Sequence, residues 1–220
     1  MLFYVLWDFV RGFRKLHFAG PCVTVFGSAR FTEGHPDYEQ ARKMGEALTN
    51  LGFTVMTGGG PGIMEAANRG AYEAGGHSVG CNITLPFEQK VNPYVHRYVT
   101  MKYFFVRKVL LVKYSYAFVV CPGGFGTMDE MFEALTLIQT GKIKNFPVVV
   151  IGKDYWQGLL DFMKTMAAAG TINTEDRDLL FVTDSVEDAA RFIQQKCEVY
   201  GLKRTKSKPA WWLGEKGFSV

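Results

Sequence analysis

The sequence predicts an α/β protein: a mostly parallel sheet with helices on both faces, preceded by one extra N-terminal helix. Three observations lead there. From Cys22 onward, apolar runs of about five residues alternate with amphipathic stretches of about 12 or more. Connections of that length between strands are crossovers, so neighbouring strands run parallel and are covered on both sides. Three turns rich in glycine or serine, GSAR, GGGPG and PGGFG, each follow an apolar run, at the strand ends where such sheets collect ligands.

Residues 1–20 read as a packing helix. Leu2, Phe3, Leu6, Phe9, Val10 and Phe13 recur at helical spacing, which suits docking on the body of the protein or on a partner subunit. The apolar run is too short to span a bilayer, carries Asp8, and has Arg11, Arg14 and Lys15 behind it rather than ahead of it. Neither a transmembrane segment nor a signal peptide is expected, and a membrane-surface helix is the alternative to packing.

Residues 21–202 carry the alternating pattern. CVTVFG is a strand, SARFTEGHPD a polar turn, and DYEQARKMGEALTNLG an amphipathic helix stopped at Gly52. FTVMTGG and HSVGCNITL are strands flanking GGPGIMEAANRGAYEAGG, a helix opened by glycines. EQKVNPYVHRYV is a polar connection, RYVTMKY a short strand, and FFVRKVLLVKYS a helix. Ala117–Cys121 is a buried strand. Pro122, Gly123, Gly124 and Gly126 then make a tight turn, and Thr127 is the expected start of a long helix. PVVVIG, YWQGLLDFMKTMAAAG, FVTD and SVEDAARFIQQKCEVYG complete the alternation. Residues 203–220 form a basic, aromatic tail with Trp211 and Trp212, expected to be partly ordered or to wrap a neighbour.

Composition bounds the function. A chain of 220 residues, 48% hydrophobic and 21% charged, can bury the core of one soluble domain. Its formal net charge is +4, but Lys203, Arg204, Lys206, Lys208 and Lys216 lie in the tail. The body is close to neutral, which argues against a nucleic-acid groove. Cys22, Cys81, Cys121 and Cys197 are widely spaced with no CxxC, so buried free thiols in a reducing cytoplasm are expected. His17, His35, His77 and His96 are scattered, and no metal-ligand spacing is present.

The chemistry gathers at the glycine turns. Without Cβ atoms, the backbone N–H groups of PGGFGT approach an anion closely, and a helix start adds unpaired donors and a positive dipole end. GGGPG is a second cradle. There is no GxGxxG and no GxxxxGK[ST], so neither a dinucleotide fold of the hydride-transfer kind nor a P-loop is supported. With the serine turn, the pattern points to a three-sided mononucleotide pocket. Glu130 falls beside the sugar of a phosphate held there. T-x-x-E at Thr127–Glu130 is also a capping box, a purely structural use of that glutamate. Asp129 reads as a complement to the helix dipole, and Glu133, one turn after Glu130, as facing the same pocket. Arg107 lies among Tyr103, Phe104, Leu110 and Leu111 on an apolar stripe, where a guanidinium needs an anionic ligand or a carboxylate, Glu130 included. Lys108 is similarly surrounded, as in a helix covered on two sides at a subunit interface.

GGGPGIMEAAN, the RK pair at 107 and 108, and PGGFGTMDE resemble the LOG (Lonely Guy) family, cytokinin riboside 5′-monophosphate phosphoribohydrolases formerly labelled lysine decarboxylases. The resemblance covers roughly residues 20–200. It implies a Rossmann-like fold, a homodimer or higher homo-oligomer, no cofactor, and hydrolysis of a purine nucleoside 5′-monophosphate to free base and ribose 5-phosphate. By motif it implies Arg107 and Glu130 as the catalytic pair, and Gly123, Gly124, Gly126 and Thr127 at the phosphate, with Phe125 in the expected substrate-binding set. Ser28, Gly59, Gly60, Lys108, Glu133 and Thr136 complete the expected substrate-binding set. LPFEQKVNPY, FFVRKV and the N-terminal helix differ from the plant proteins and resemble a bacterial branch, for which AMP-like substrates stand beside cytokinin ribotides. A nucleotide or molybdenum-cofactor carrier of the same fold, binding without turnover, is the alternative. Nothing marks a Schiff-base lysine.

Overall fold

The computed structural model describes residues 1–86 and 90–199. Its strands are β1 (Cys22–Phe26), β2 (Thr54–Thr57), β3 (Ser78–Ile83), β4 (Arg97–Met101), β5 (Ser115–Val120), β6 (Val148–Ile151) and β7 (Leu180–Thr183). They form one sheet in the order β4-β3-β2-β1-β5-β6-β7, with every neighbouring pair parallel. The helices are α1 (Leu2–Leu16), α2 (Pro36–Asn50), α3 (Ile63–Glu73), α4 (Phe104–Tyr114), α5 (Phe125–Gln139), α6 (Lys153–Ala168) and α7 (Val186–Val199). Crossovers place helices on both faces, giving the Rossmann-like architecture. The C-terminal tail and the FEQ of LPFEQKVNPY lie outside the described residues.

Strand periodicity builds two cores. Phe118 and Val120 of β5 face Leu110, Met131 and Trp156 on one side, while Val119 faces the side of Met44, Ile63 and Ile193. The first core holds α1, α4, α5 and α6; the second holds α2, α3 and α7. Because both faces are covered, β1, β2, β3 and β6 are buried at every position, which is why they read as continuous apolar runs rather than alternating ones.

Small residues let α2 and α3 approach closely. A Cβ on Gly70 would collide with the Arg42 carbonyl oxygen, and Gly45 abuts the Ala67 backbone in the same way. Backbone on both sides leaves no side chain to swing aside. Gly70→Ala is therefore expected to cost about 2–3 kcal/mol, read as a lower urea midpoint.

Three local features differ from the sequence expectation. Strand β5 opens at Ser115 rather than Ala117, directly after α4, with Ser115 Oγ 2.6 Å from Thr24 Oγ1 on β1. Helix α5 opens at Phe125 rather than Thr127. A short 3-10 helix at Thr174–Leu179, held by a capping box between Asn173 and Asp176, precedes β7.

Helix α1 docks on the body. Gly12 sits against Leu110, and Asp8 Oδ2 accepts from the Lys102 amide at 2.7 Å while Asp8 Oδ1 pairs with Arg11. Leu2, Phe3, Leu6, Trp7 and Val10 face outward. All four cysteines are buried and free, and burial pushes the Cys22, Cys81 and Cys121 thiols up to about 12, so these stay protonated and inert. No helix among the described residues is long and apolar enough to cross a membrane.

Candidate active site

After β1 the chain turns out to β2, β3 and β4 on one side, while β5 to β7 extend the other. The connection order thus reverses between β1 and β5, and a crevice opens at their carboxyl ends. Backbone hydrogen bonds stitch three turns around it. The Ser28 amide donates to the Pro122 carbonyl, and the Ile63 amide donates to the Ser28 carbonyl, both at 2.9 Å. Gly62 makes this possible: its φ is 71°, and a Cβ there would strike the Ser28 carbonyl oxygen. The cleft encloses about 950 Å³, enough for a nucleotide.

The β5 turn supplies Gly123, Gly124, Phe125, Gly126 and Thr127 to the cleft wall, and the turn after β1 supplies Ser28 and Arg30. Helix α5 has Gly124 as its N-cap, in extended conformation, with no side-chain capping bond. Thr127 is then the third helical residue. Glu130 stands one turn inside the helix, so the capping-box use of Thr127 and Glu130 does not form. Gly124 and Gly126 have no protein atom where a Cβ would go and no positive φ. Neither packing nor backbone strain demands glycine there, and the open space belongs to the cleft. Tyr155, in the first turn of α6, braces the turn by donating to the Gly123 carbonyl at 2.8 Å.

Arg107 and Glu130 meet deeper in the cleft. Arg107 Nε donates to the Cys81 carbonyl at 2.8 Å, and Nη1 lies 3.3 Å from Glu130 Oε1. A Cβ on Gly58 would come within 2.6 Å of Arg107 Nη2, so the β2 turn also confines the guanidinium. Glu130 is only 4% exposed. Burial pushes its pKa up to about 7, against the opposing pull of Arg107 and Lys108. The carboxyl is therefore near the midpoint of its titration at neutral pH, a condition seen where acid or base work is done.

The same burial has a stability signature. The folded pKa lies above the ordinary 4.5, so folded protein retains a proton that the unfolded chain releases between about pH 4.5 and 7. The stability tied to neutral Glu130 is complete below pH 4.5 and is lost as pH rises through 7, on the order of 3 kcal/mol. Glu130→Gln removes this dependence. Its melting temperature relative to the parent is expected to rise by on the order of 5–10 °C between about pH 5 and pH 8 in parallel thermal scans.

Other residues expected at the site lie elsewhere. Lys108 Nζ is 2.8 Å from both Asp129 Oδ1 and Glu133 Oε2, joining α4 to α5 outside the cleft wall. Burial lowers the Lys108 pKa, but these two carboxylates raise it further, so it stays charged. Thr136 bonds back to the Phe132 carbonyl on its own helix. Gly59 and Gly60 are held from behind by a buried polar network. The Gly59 amide donates to Thr57 Oγ1, Thr57 Oγ1 donates to Asn68 Oδ1, and Asn92 Nδ2 donates to the Gly60 carbonyl and to Asn68 Oδ1. These residues shape the turn that confines Arg107. Conversely, Asn82, Tyr155, Met64 and Arg30 line the cleft without having been singled out in the sequence. Asn82 left a trace there, as the last polar residue in the buried run SVGCNI. Among the described residues no cluster of three or more His, Cys, Asp or Glu is arranged to hold a metal ion.

A profile described as "Possible lysine decarboxylase" matches residues 64–193, which include Arg107, the glycine turn and Glu130. The chain belongs to this family. Curated relatives carry the name cytokinin riboside 5′-monophosphate phosphoribohydrolase. That of Mycobacterium tuberculosis is 30% identical over 155 residues, 70% of this chain and 83% of the relative. LOG3 of Arabidopsis thaliana is 25% identical over 184 residues, 82% of this chain and 84% of the relative. Among solved structures, the molybdenum cofactor binding protein of Rippkaea orientalis superposes with a TM-score of 0.62 at 23% identity, covering 80% of this chain and 96% of that one. At that identity the likeness shows the shared fold.

Proposed function

We propose that the protein is a nucleoside 5′-monophosphate N-glycosidase, cleaving a purine or cytokinin-type ribotide to free base and ribose 5-phosphate. The observation that carries this is the pairing of Glu130, buried and shifted to about 7, with Arg107 beside an uncapped helix start lined by open glycines. The 5′-phosphate takes the N–H groups of residues 124–126, the Thr127 amide being already bonded to the Gly124 carbonyl, and the positive end of α5. That remote grip fixes the ribose against Glu130. Breaking the ribosyl C–N bond builds positive charge on the sugar, and the ionised carboxylate of Glu130 stabilises it while water adds at the anomeric carbon; the departing base takes up a proton from solvent and the added water gives one up to it. Arg107 holds Glu130 in place and favours its charged form.

Relatives named as phosphoribohydrolases support the reaction class, and adenine and N6-substituted adenine ribotides are the substrates we infer. We also infer a homo-oligomer. Phe105 and Val109 on α4 are 48% and 44% exposed beside the Lys108–Asp129–Glu133 cluster, an apolar face suited to a second copy. The second reading, a carrier that binds a phosphorylated ligand without turnover, draws on the fold shared with the molybdenum cofactor binding protein. Incubation with AMP, GMP, CMP and isopentenyladenosine monophosphate, followed by chromatography, separates the two. Free base from a purine monophosphate, and none from adenosine, is the expected result. Intact nucleotides throughout, with saturable binding, favour the carrier.

A further inference from the structure

We propose that Asn82 is the residue that reads the base, its carboxamide N–H donating to a ring nitrogen of the purine. The inference rests on the N-glycosidase reading above and assigns the far end of the same cleft.

Asn82 is the penultimate residue of β3, is 5% exposed, and lines the cleft. Its oxygen is already committed: Asn82 Oδ1 accepts from the Ile83 amide at 2.7 Å. That bond fixes the orientation of the carboxamide, because only the oxygen can face an N–H donor. The Nδ2 donors have no partner among the described residues. Asn82 lines the cleft, so these donors open onto it, where the acceptor of a bound ligand can complete the hydrogen bonding of the amide.

Sheet order says which part of the ligand arrives there. β3 is separated from β5 by β2 and β1. Three strand spacings put the end of β3 about 14 Å from the phosphate turn, close to the reach of a nucleotide from phosphate to base. Arg107 spans the interval, bonded to Cys81 on β3 at one end and to Glu130 on α5 at the other. With the sugar at that pair, the base extends towards β3. The surroundings suit it, since Ile83, Leu85, Phe104 and Met64 line the same part of the molecule with apolar surface for the ring faces. A donor-only contact matches N3 or N7, acceptors that purines share. Asn82 therefore separates a ligand with a base from one without, rather than adenine from guanine.

The test uses the full-length Glu130→Gln protein, so that AMP survives the titration, with Asn82→Asp and Asn82→Ala added separately. Asp keeps the acceptor for the Ile83 amide; Ala adds no charge. Dissociation constants for AMP and for ribose 5-phosphate are measured by calorimetry, and their ratio is compared. The ratio of the AMP constant to the ribose 5-phosphate constant is expected to rise about tenfold in both variants, the size of one hydrogen bond. If one variant fails to fold by its thermal melt, the other decides. An unchanged ratio, or equal weakening of both ligands, overturns the assignment even when wild-type protein hydrolyses AMP. If unsubstituted Asn82 protein binds neither ligand and wild type releases no base, the N-glycosidase reading falls and takes this inference with it.

Discussion

Glu130→Gln is expected to lower kcat for ribotide hydrolysis by about a thousandfold or more while leaving the fold intact. Gln keeps the shape and can still accept from Arg107, but it has no charge to set against the developing positive sugar. The geometry removes the competing explanation. Helix α5 begins at Phe125 with Gly124 as N-cap, so Glu130 caps nothing and its charge has no structural duty at the helix start. A stability change cannot mimic the result, because loss of the buried carboxyl's titration makes the variant more stable above about pH 7. Activity and stability moving in opposite directions at pH 8, in steady-state kinetics beside thermal melts, is the signature of a charge kept in place for chemistry.

Arg107→Ala is the second large effect. Removing the guanidinium deletes the main influence holding the Glu130 pKa down, so the carboxyl rises above about 7 and less of it is ionised at neutral pH. The rate should fall by about a hundredfold at pH 7, and the acid limb of the pH–rate profile should move to higher pH by about one unit. Arg107→Lys keeps a cation but not the fork that spans the Cys81 carbonyl and Glu130, so it should restore the limb more than the rate. An unmoved limb with reduced rate would mean that Arg107 touches only the ligand and does not set the charge on Glu130.

Much of the fold is legible in the amino-acid sequence. The alternation of short apolar runs and long amphipathic ones carries the sheet topology, because a parallel strand pair requires a crossover. The glycine turn and the stranded Arg107 were visible for related reasons. Glycines clustered between strand and helix have few structural uses, and a guanidinium on an apolar stripe has to be answered by an anion. What was hidden depends on tertiary approach. Lys108 and Glu133 carry the same charges as site residues, yet they neutralise each other across α4 and α5, a pairing set by how the two helices cross. The T-x-x-E spacing pointed to a helix start at Thr127, while the backbone turns helical two residues earlier because extended Gly124 needs no side-chain cap. Thr136 follows the helical register of Glu133 and spends its hydroxyl on its own helix. Asn82, near the end of β3, and Tyr155, in the first turn of α6, are distant in sequence from the motifs, and only the sheet order brings them to one cleft.

The most direct measurement is a crystal structure of the Glu130→Gln protein with AMP. The expected result has phosphate oxygens within hydrogen-bond distance of the amides of residues 124–126, the anomeric carbon facing residue 130, and the base beyond Arg107 towards β3. A nucleotide bound outside this cleft, or with its phosphate at the β3 end and its sugar out of reach of residue 130, would contradict it.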